Sequence, residues 1–172
     1  MRVMGIDPGT ALTGYGVVEQ EGQHLRLVAA GAVRTSPEWP ASERLFCLYR
    51  ELQQVILAHR PEAMAVEKLF FNRNVRTAMA VGEARGVVLL AAAQAKLPVA
   101  EYTPPAVKLA VTGVGSAGKH QVGVMVARLL NLTAPPTPDD VADALAVAIC
   151  HLHQATTLSR LARARALGGE AP

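Results

Sequence analysis

Cysteine and long apolar runs are both scarce in this sequence. Its 172 residues include two cysteines, Cys47 and Cys150, each in an apolar segment without a second ligand at metal-binding spacing. This pattern gives no support to a disulfide framework and favours a reducing cytoplasm. The most apolar run, residues 86–95, is far shorter than the roughly 20 residues of a membrane span, and the start shows no signal-peptide pattern. We therefore expect a cytoplasmic protein with no membrane partner.

The chain does contain a large apolar fraction and a small excess of positive charge. Hydrophobic residues make up 51% of the sequence, which is enough for the core of one domain at this length. We assign residues 1–156 to that domain and residues 157–172, which carry several arginines, to a disordered tail. The formal net charge of +3 permits a polyanionic partner without requiring one.

The order of apolar runs, turn residues and helical repeats predicts an α/β fold with a five-stranded mixed sheet. The predicted strands are residues 3–6, 13–19, 25–34, 63–66 and 98–102, and the predicted helices are residues 41–60, 75–96, 119–130 and 137–153. Short links make the first three strands an antiparallel meander, whereas a strand, helix and strand unit places the fourth parallel to the first. At the start of the last helix, a T-P-D-D sequence resembles a capping box with Pro138 at the first helical position.

Aspartate is the scarcest acid, and its positions are informative. The four aspartates are Asp7, directly after the first strand, and Asp139, Asp140 and Asp143 in the last helix. Glu67 follows the fourth strand, so it emerges beside Asp7 if the two strands are parallel neighbours. Spacings of three and four residues put two helix aspartates on one face, where their repulsion is explained by a divalent cation.

Four of these five acids also have an ordinary structural interpretation. Asp139 and Asp140 suit a helix start, where an acid contributes about 0.3 to 1 kcal/mol through the helix dipole. Asp7 suits a strand-end turn, and Glu67 suits an exposed loop, but Asp143 lies beyond the first helical N–H groups. Together, two strand-end acids and a helix pair predict a site for two ions about 3.5 to 4 Å apart, which would act on a phosphoryl centre.

Several motifs together resemble the RuvC family of bacterial Holliday-junction resolvases. They are GIDPGT with TGYGVV, AVEKLFFNRN, the G-x-A-R-G-V of residues 82–87, AVKLAVTGVGSAGKHQV and DDVADALAVAICH, and the resemblance covers residues 3–153. The resemblance implies an RNase H-like fold, a homodimer, and magnesium-dependent, paired cutting of four-way DNA junctions in recombination and repair. It also implies two magnesium ions per site, which manganese can replace, and the RuvA and RuvB branch-migration proteins as partners.

The resemblance also assigns roles to particular residues. It places the catalytic, metal-binding acids at Asp7, Glu67, Asp140 and Asp143, so it selects Asp140 rather than Asp139. The implied DNA contacts are Phe70, Arg73, Arg76, Lys108 and Lys119. Without the family, the two lysines are equally well read as solvated side chains. An exposed ring can stack on an unpaired base, and we expect one ring of the Phe70 and Phe71 pair in the core.

Two other functions remain open at this stage. GIDPGT also resembles the first phosphate loop of actin and sugar-kinase type ATPases, but those need two related domains, for which 172 residues are too few. A junction-binding protein that does not cut is the other alternative, and acids at all four positions argue against it.

Ala78, Gly82 and Gly86 leave a stripe of small residues on the long helix, which packs either on its own sheet or on a second subunit.

Overall fold

A computed structural model describes the backbone of residues 1–68 and 75–168, and the side chains of residues 1–68 and 78–158. In chain order the elements are β1 (Arg2–Asp7), β2 (Leu12–Glu21), β3 (His24–Arg34), α1 (Ala41–His59), β4 (Ala63–Glu67), α2 (Val75–Gln94), β5 (Val99–Tyr102), α3 (Pro104–Thr112), α4 (Lys119–Leu129) and α5 (Asp139–Gly168). Within the described residues, no helix combines the length and the hydropathy needed to cross a bilayer.

The sheet has the strand order β3-β2-β1-β4-β5. Strands β1, β2 and β3 pair antiparallel, while β4 runs parallel to β1, and β5 runs parallel to β4. This confirms the predicted RNase H-like sheet, a three-stranded meander extended by parallel strands. The parallel arrangement puts the carboxyl ends of β1, β4 and β5 at one edge of the sheet.

Helices cover both faces of the sheet, and consecutive strand residues are divided between them. In β1, Val3 belongs to the core beneath α3, α4 and α5, whereas Met4 and Ile6 belong to the core beneath α1 and α2. Side chains in a strand point alternately to opposite faces, so a short apolar run buried on both sides is the expected signature of such a strand. Each of these three side chains is fully buried.

Two predictions about the last helix were wrong. The helix does not end near His153 but continues to Gly168, so residues 157–168 of the expected disordered tail are helical. Residues 154–166 contain neither proline nor glycine and are rich in alanine, leucine and arginine, which favour helix. Pro138 is not the first helical residue. The helix begins at Asp139, and the carbonyl of Pro138 accepts the N–H of Val141 at 2.9 Å, so Pro138 takes the position before the helix.

Candidate active site

Asp7 and Glu67 end two adjacent parallel strands. The register pairs Val3 with Ala63 and Ile6 with Val66, so Asp7 and Glu67 follow one rung later at the same edge of the sheet. The turn after Asp7 is fixed by a buried threonine, because the hydroxyl of Thr13 donates to the carbonyl of Gly9 at 2.6 Å. The topology thus brings the two strand-end acids together, as the sequence predicted.

The acids of α5 reach this edge because the helix lies almost directly on glycines of the sheet. A β-carbon on Gly14 would lie 2.0 Å from the carbonyl oxygen of Asp140, and one on Gly5 would lie 2.0 Å from that of Ala144. Gly14 is also the cross-strand partner of Asp7. The absence of side chains at these two glycines therefore brings the start of α5 close to Asp7. Sequence reasoning missed this role, although both glycines lie in the motifs that carry the family resemblance.

The electrostatics of the described acids show that four carboxylates share one region. Burial raises the pKa of Asp7 to about 7, and the charges of Asp143, Asp140 and Glu67 add to the effect. Burial also raises the pKa of Glu67, with a further contribution from Asp143. Like charges are therefore held close together at this edge of the sheet. Such a cluster of perturbed acids marks a functional site more often than a structural one.

The two adjacent helix aspartates differ in their surroundings. Asp140 is half-buried and contributes to the raised pKa of Asp7. Asp139 is exposed, and it lines a cleft beside α4 together with Lys119, His120 and Asp143. Its effect is on the ammonium of Lys119, whose pKa it helps to raise. The geometry therefore groups Asp140, rather than Asp139, with Asp7.

Two lysines lie in the same cleft as the acids. Glu67, Lys108, Lys119 and Asp143 line a cavity of about 200 Å³. Lys119 Nζ lies 3.3 Å from Asp143 Oδ2, and the charge of Asp143 is the main cause of the raised pKa of Lys119. Lys108 and Lys119 both lower the pKa of Glu67. The predicted phosphate-binding lysines thus stand at the acids rather than on a remote solvated face.

Between these lysines, residues 113–118 form a loop that joins α3 to α4. Gly113 ends α3 with a positive φ of 77°, and its N–H donates to the carbonyl of Leu109 at 2.9 Å. A β-carbon on Gly113 or Gly118 would have no neighbour within 4 Å among the described residues, so packing against those residues does not require these glycines.

The acid set suits magnesium chemically, although it is not a closed cage. Carboxylate oxygens are the ligands that magnesium prefers. Among the described residues, no three His, Cys, Asp or Glu side chains are close enough together to enclose one ion. Magnesium commonly binds through one or two carboxylates and completes its shell with water and substrate phosphate. An open set of acids beside a cleft therefore fits a magnesium site that is completed by substrate.

Three predicted DNA contacts are not tested by this geometry. Phe70 and Arg73, together with Phe71, lie outside the described residues. Arg76 belongs to α2, but its side chain is likewise outside the described part of the structure. Their roles remain predictions from the family resemblance.

Comparison with known proteins finds similar chains over most of the sequence. The model of the family "Crossover junction endodeoxyribonuclease RuvC" matches residues 3–151. The protein of that name from Pelotomaculum thermopropionicum is 60% identical over 156 residues, which are 91% of this chain and 95% of the relative. A structure of Thermus thermophilus RuvC is 44% identical, with a TM-score of 0.85, over 91% of this chain and 96% of that one.

A second Thermus thermophilus structure, of RuvC in complex with Holliday junction substrate, has a TM-score of 0.86 and 44% identity. It covers 90% of this chain and 94% of that one. The range matched by the family model includes the meander, the strand-end acids and the first turns of α5. On these matches, the chain belongs to the crossover junction endodeoxyribonuclease RuvC family.

Proposed function

We propose that this protein is a magnesium-dependent endonuclease that resolves four-way DNA junctions by nicking two strands symmetrically. The observation that carries the proposal is Asp7, whose pKa is raised to about 7 by burial and by three further acids, beside a cleft with two lysines. A site of this kind fits a divalent cation and a phosphate group together. The family membership identifies the phosphate as that of a DNA junction.

The four acids have a common role in this proposal. Asp7 and Glu67 from the sheet, with Asp140 and Asp143 from α5, would hold two magnesium ions, which manganese can replace. Magnesium bound there would supply an activated water and would offset the charge that develops on the phosphodiester, and hydrolysis would leave a 5′-phosphate and a 3′-hydroxyl. The chain's contribution is to keep these carboxylates together and open to the substrate phosphate.

The lysines would hold the scissile strand. Lys108 is half-buried in the wall of the cleft, and Lys119 has a side chain that is 70% exposed at its mouth. An ammonium group at either position can bind a phosphate oxygen by charge. We also assign DNA contact to Phe70, Arg73 and Arg76, where a ring stacked on an unpaired base would contribute about 1 to 3 kcal/mol.

Two nicks in one junction require two active sites, so we propose a homodimer. The small-residue stripe of α2 supports this, because a β-carbon on Gly82 or Gly86 would meet no atom of the described residues within 4 Å. Within the described part of the chain, these glycines are therefore not needed for packing on the protein's own sheet. Met79 and Leu90 are 63% and 59% exposed on the same helix. We assign this face of α2 to the contact with the second subunit.

We also propose RuvA and RuvB as partners of this protein. We place the protein in the cytoplasm, a reducing compartment that suits its two free cysteines.

The experiment that tests this function compares two DNA substrates. A labelled four-way junction and a linear duplex of the same sequence are incubated with the protein, with and without magnesium. We expect paired, symmetric nicks in the junction alone, and only when magnesium is present. Metal-independent binding without nicking would instead favour a junction-binding protein, and ATP turnover would favour the ATPase alternative. Neither alternative is favoured by the family match.

A further inference from the structure

Glu67 depends on a short strand at the edge of the sheet. Strand β5 has four residues and a single strand neighbour, β4, within the described sheet. Its last residue, Tyr102, is the register partner of Glu67. The carbonyl of Tyr102 also accepts the N–H of Lys68 at 2.7 Å, one residue beyond Glu67. The backbone of Tyr102 therefore fixes the strand end from which the Glu67 carboxylate projects.

The side chain of Tyr102 ties this strand end to the helix that carries the other acids. Tyr102 Oη and His151 Nδ1 share a hydrogen bond of 2.8 Å. The two rings meet edge to face, with centroids 5.9 Å apart and planes inclined at 69°. His151 lies about three helical turns beyond Asp140 in α5, so it is on the same side of the helix. Both side chains are half-buried, between the strand and the helix.

The neighbouring residue holds the same strand end from the opposite face. Glu101 precedes Tyr102, and consecutive strand residues point to opposite faces of a sheet. Its carboxylate forms an ion pair with Arg85 of α2. The end of β5 is thus attached to α2 on one face and to α5 on the other. The Tyr102–His151 bond is the attachment that leads to the helix of Asp140 and Asp143.

We propose that Tyr102 and His151 form a positioning pair, which sets the separation between Glu67 on the sheet and Asp140 and Asp143 on α5. Neither residue touches the DNA or a metal ion in this role. Loss of this hydrogen bond would leave all of the acidic side chains present, but they would be less well aligned to bind a shared ion. The inference rests on the proposed magnesium-dependent function of the site.

The test measures magnesium binding, because a purely structural pair would affect only stability. Magnesium is titrated against the metal-free, DNA-free protein, and its binding midpoint is followed by the rise in melting temperature. Residues that orient metal ligands typically change metal affinity 10- to 100-fold. Since this pair acts through the backbone of β5, we expect Tyr102→Phe to weaken binding by roughly three- to tenfold. Junction affinity without metal should be unchanged, and the single-turnover nicking rate should fall with the loss of alignment.

Variants of the helix residue and a matched tyrosine sharpen the test. His151→Leu should reproduce the effect of Tyr102→Phe, whereas His151→Gln, which retains a hydrogen-bonding group, should keep the magnesium midpoint within about twofold of the wild type. The control is Tyr49→Phe, which removes a hydroxyl that donates to Gln94 between α1 and α2, away from the acids. It should leave the magnesium midpoint unchanged.

The outcomes separate this inference from the function on which it rests. A wild-type protein that neither binds magnesium nor nicks junctions overturns both. A wild-type protein that does both, with a Tyr102→Phe variant that melts lower but keeps the magnesium midpoint, overturns only the positioning role. The positioning role is also overturned if Tyr49→Phe weakens magnesium binding as much as Tyr102→Phe does.

Discussion

Lys119 Nζ lies 3.3 Å from Asp143 Oδ2, so an exposed lysine is paired with an acid that also raises the pKa of Asp7 and Glu67. The lysine side chain is 70% exposed and the aspartate side chain 25%. A pair with one partner so exposed contributes only about 0 to 1 kcal/mol to stability. Its placement at the mouth of an acidic cleft is better explained by a role in binding phosphate.

Lys119→Met should therefore weaken DNA binding with little effect on folding. Each phosphate contact releases counterions, so losing one flattens the slope of log K against log salt by roughly one unit or less. Junction binding measured over a salt series in a metal chelator tests this, and the melting temperature reports on folding. Lys96→Met is the matched control, because Lys96 precedes β5 at the opposite end of the parallel strands. If the wild type, Lys119→Met and Lys96→Met give equal slopes, Lys119 does not contact phosphate and is an ordinary solvated side chain.

The two neighbouring aspartates of α5 should behave differently. Asp140→Asn is expected to abolish junction nicking, because Asp140 is grouped with Asp7. Asp139→Asn should keep most of the activity, because Asp139 is exposed and is not among the charges that raise the pKa of Asp7. Nicking rates at saturating magnesium, with junction binding measured in a chelator, make the comparison. Equal losses for the two variants would show that the assignment of Asp140 is wrong.

The raised pKa of Asp7 predicts how the metal-free protein responds to pH. In the folded protein the Asp7 carboxyl has a pKa of about 7, compared with the ordinary value of 3.8, so it stays protonated to a higher pH than in the unfolded chain. The contribution of this group to stability is fully present at pH values below 3.8 and is lost as the pH rises toward and through 7. In a chelator, the melting temperature of the wild type should fall between pH 5 and pH 8 more than that of Asp7→Asn.

Magnesium should reverse this trend, because the ion competes with the proton for the same carboxylate. The stabilisation by magnesium should be larger at pH 8 than at pH 5. Asp139→Asn serves as the control and should retain the wild-type dependence on pH. If the wild type and Asp7→Asn give parallel melting curves over this range, the acid cluster does not govern the pH response.

Much of the fold follows from local patterns in the sequence. Each of the five strands lies within a few residues of its predicted position, because apolar runs and turn residues mark strands locally. The parallel pairing of β1 with β4 follows from the strand, helix and strand order, which brings Asp7 and Glu67 together. The contribution of α5 to the site was predicted from the spacing of its acids and from the family resemblance.

The features that were not predicted depend on contacts between distant parts of the chain. The approach of Asp140 to Gly14 is set by helix packing on the sheet, and a glycine in a sequence does not reveal what it faces. The bond between Tyr102 and His151 joins residues 49 positions apart, and only His151 lies in one of the motifs that carry the family resemblance. The true end of α5 was missed because arginine-rich sequence was read as a tail, although its helix propensity is high.

Gly14→Ala tests the packing that places Asp140. The added methyl would lie 2.0 Å from the carbonyl oxygen of Asp140, which is backbone and must shift with its helix. Overpacking of this kind costs about 1 to 3 kcal/mol of stability. We expect a lower melting temperature and a loss of nicking in the protein that remains folded. Gly123→Ala is the control, because its β-carbon would make an ordinary contact at 3.6 Å with Pro135. A fully active Gly14→Ala variant would contradict the close packing of α5.

The central claim is that the acids at this sheet edge carry out magnesium-dependent cutting of DNA junctions. The most direct measurement compares the wild type with Glu67→Gln on a labelled four-way junction, at equal junction occupancy and with magnesium present. The account predicts paired, symmetric nicks by the wild type and none by Glu67→Gln, which should bind the junction at least as tightly. Wild-type rates of nicking by Glu67→Gln, or an absence of nicking by the wild type itself, would contradict it.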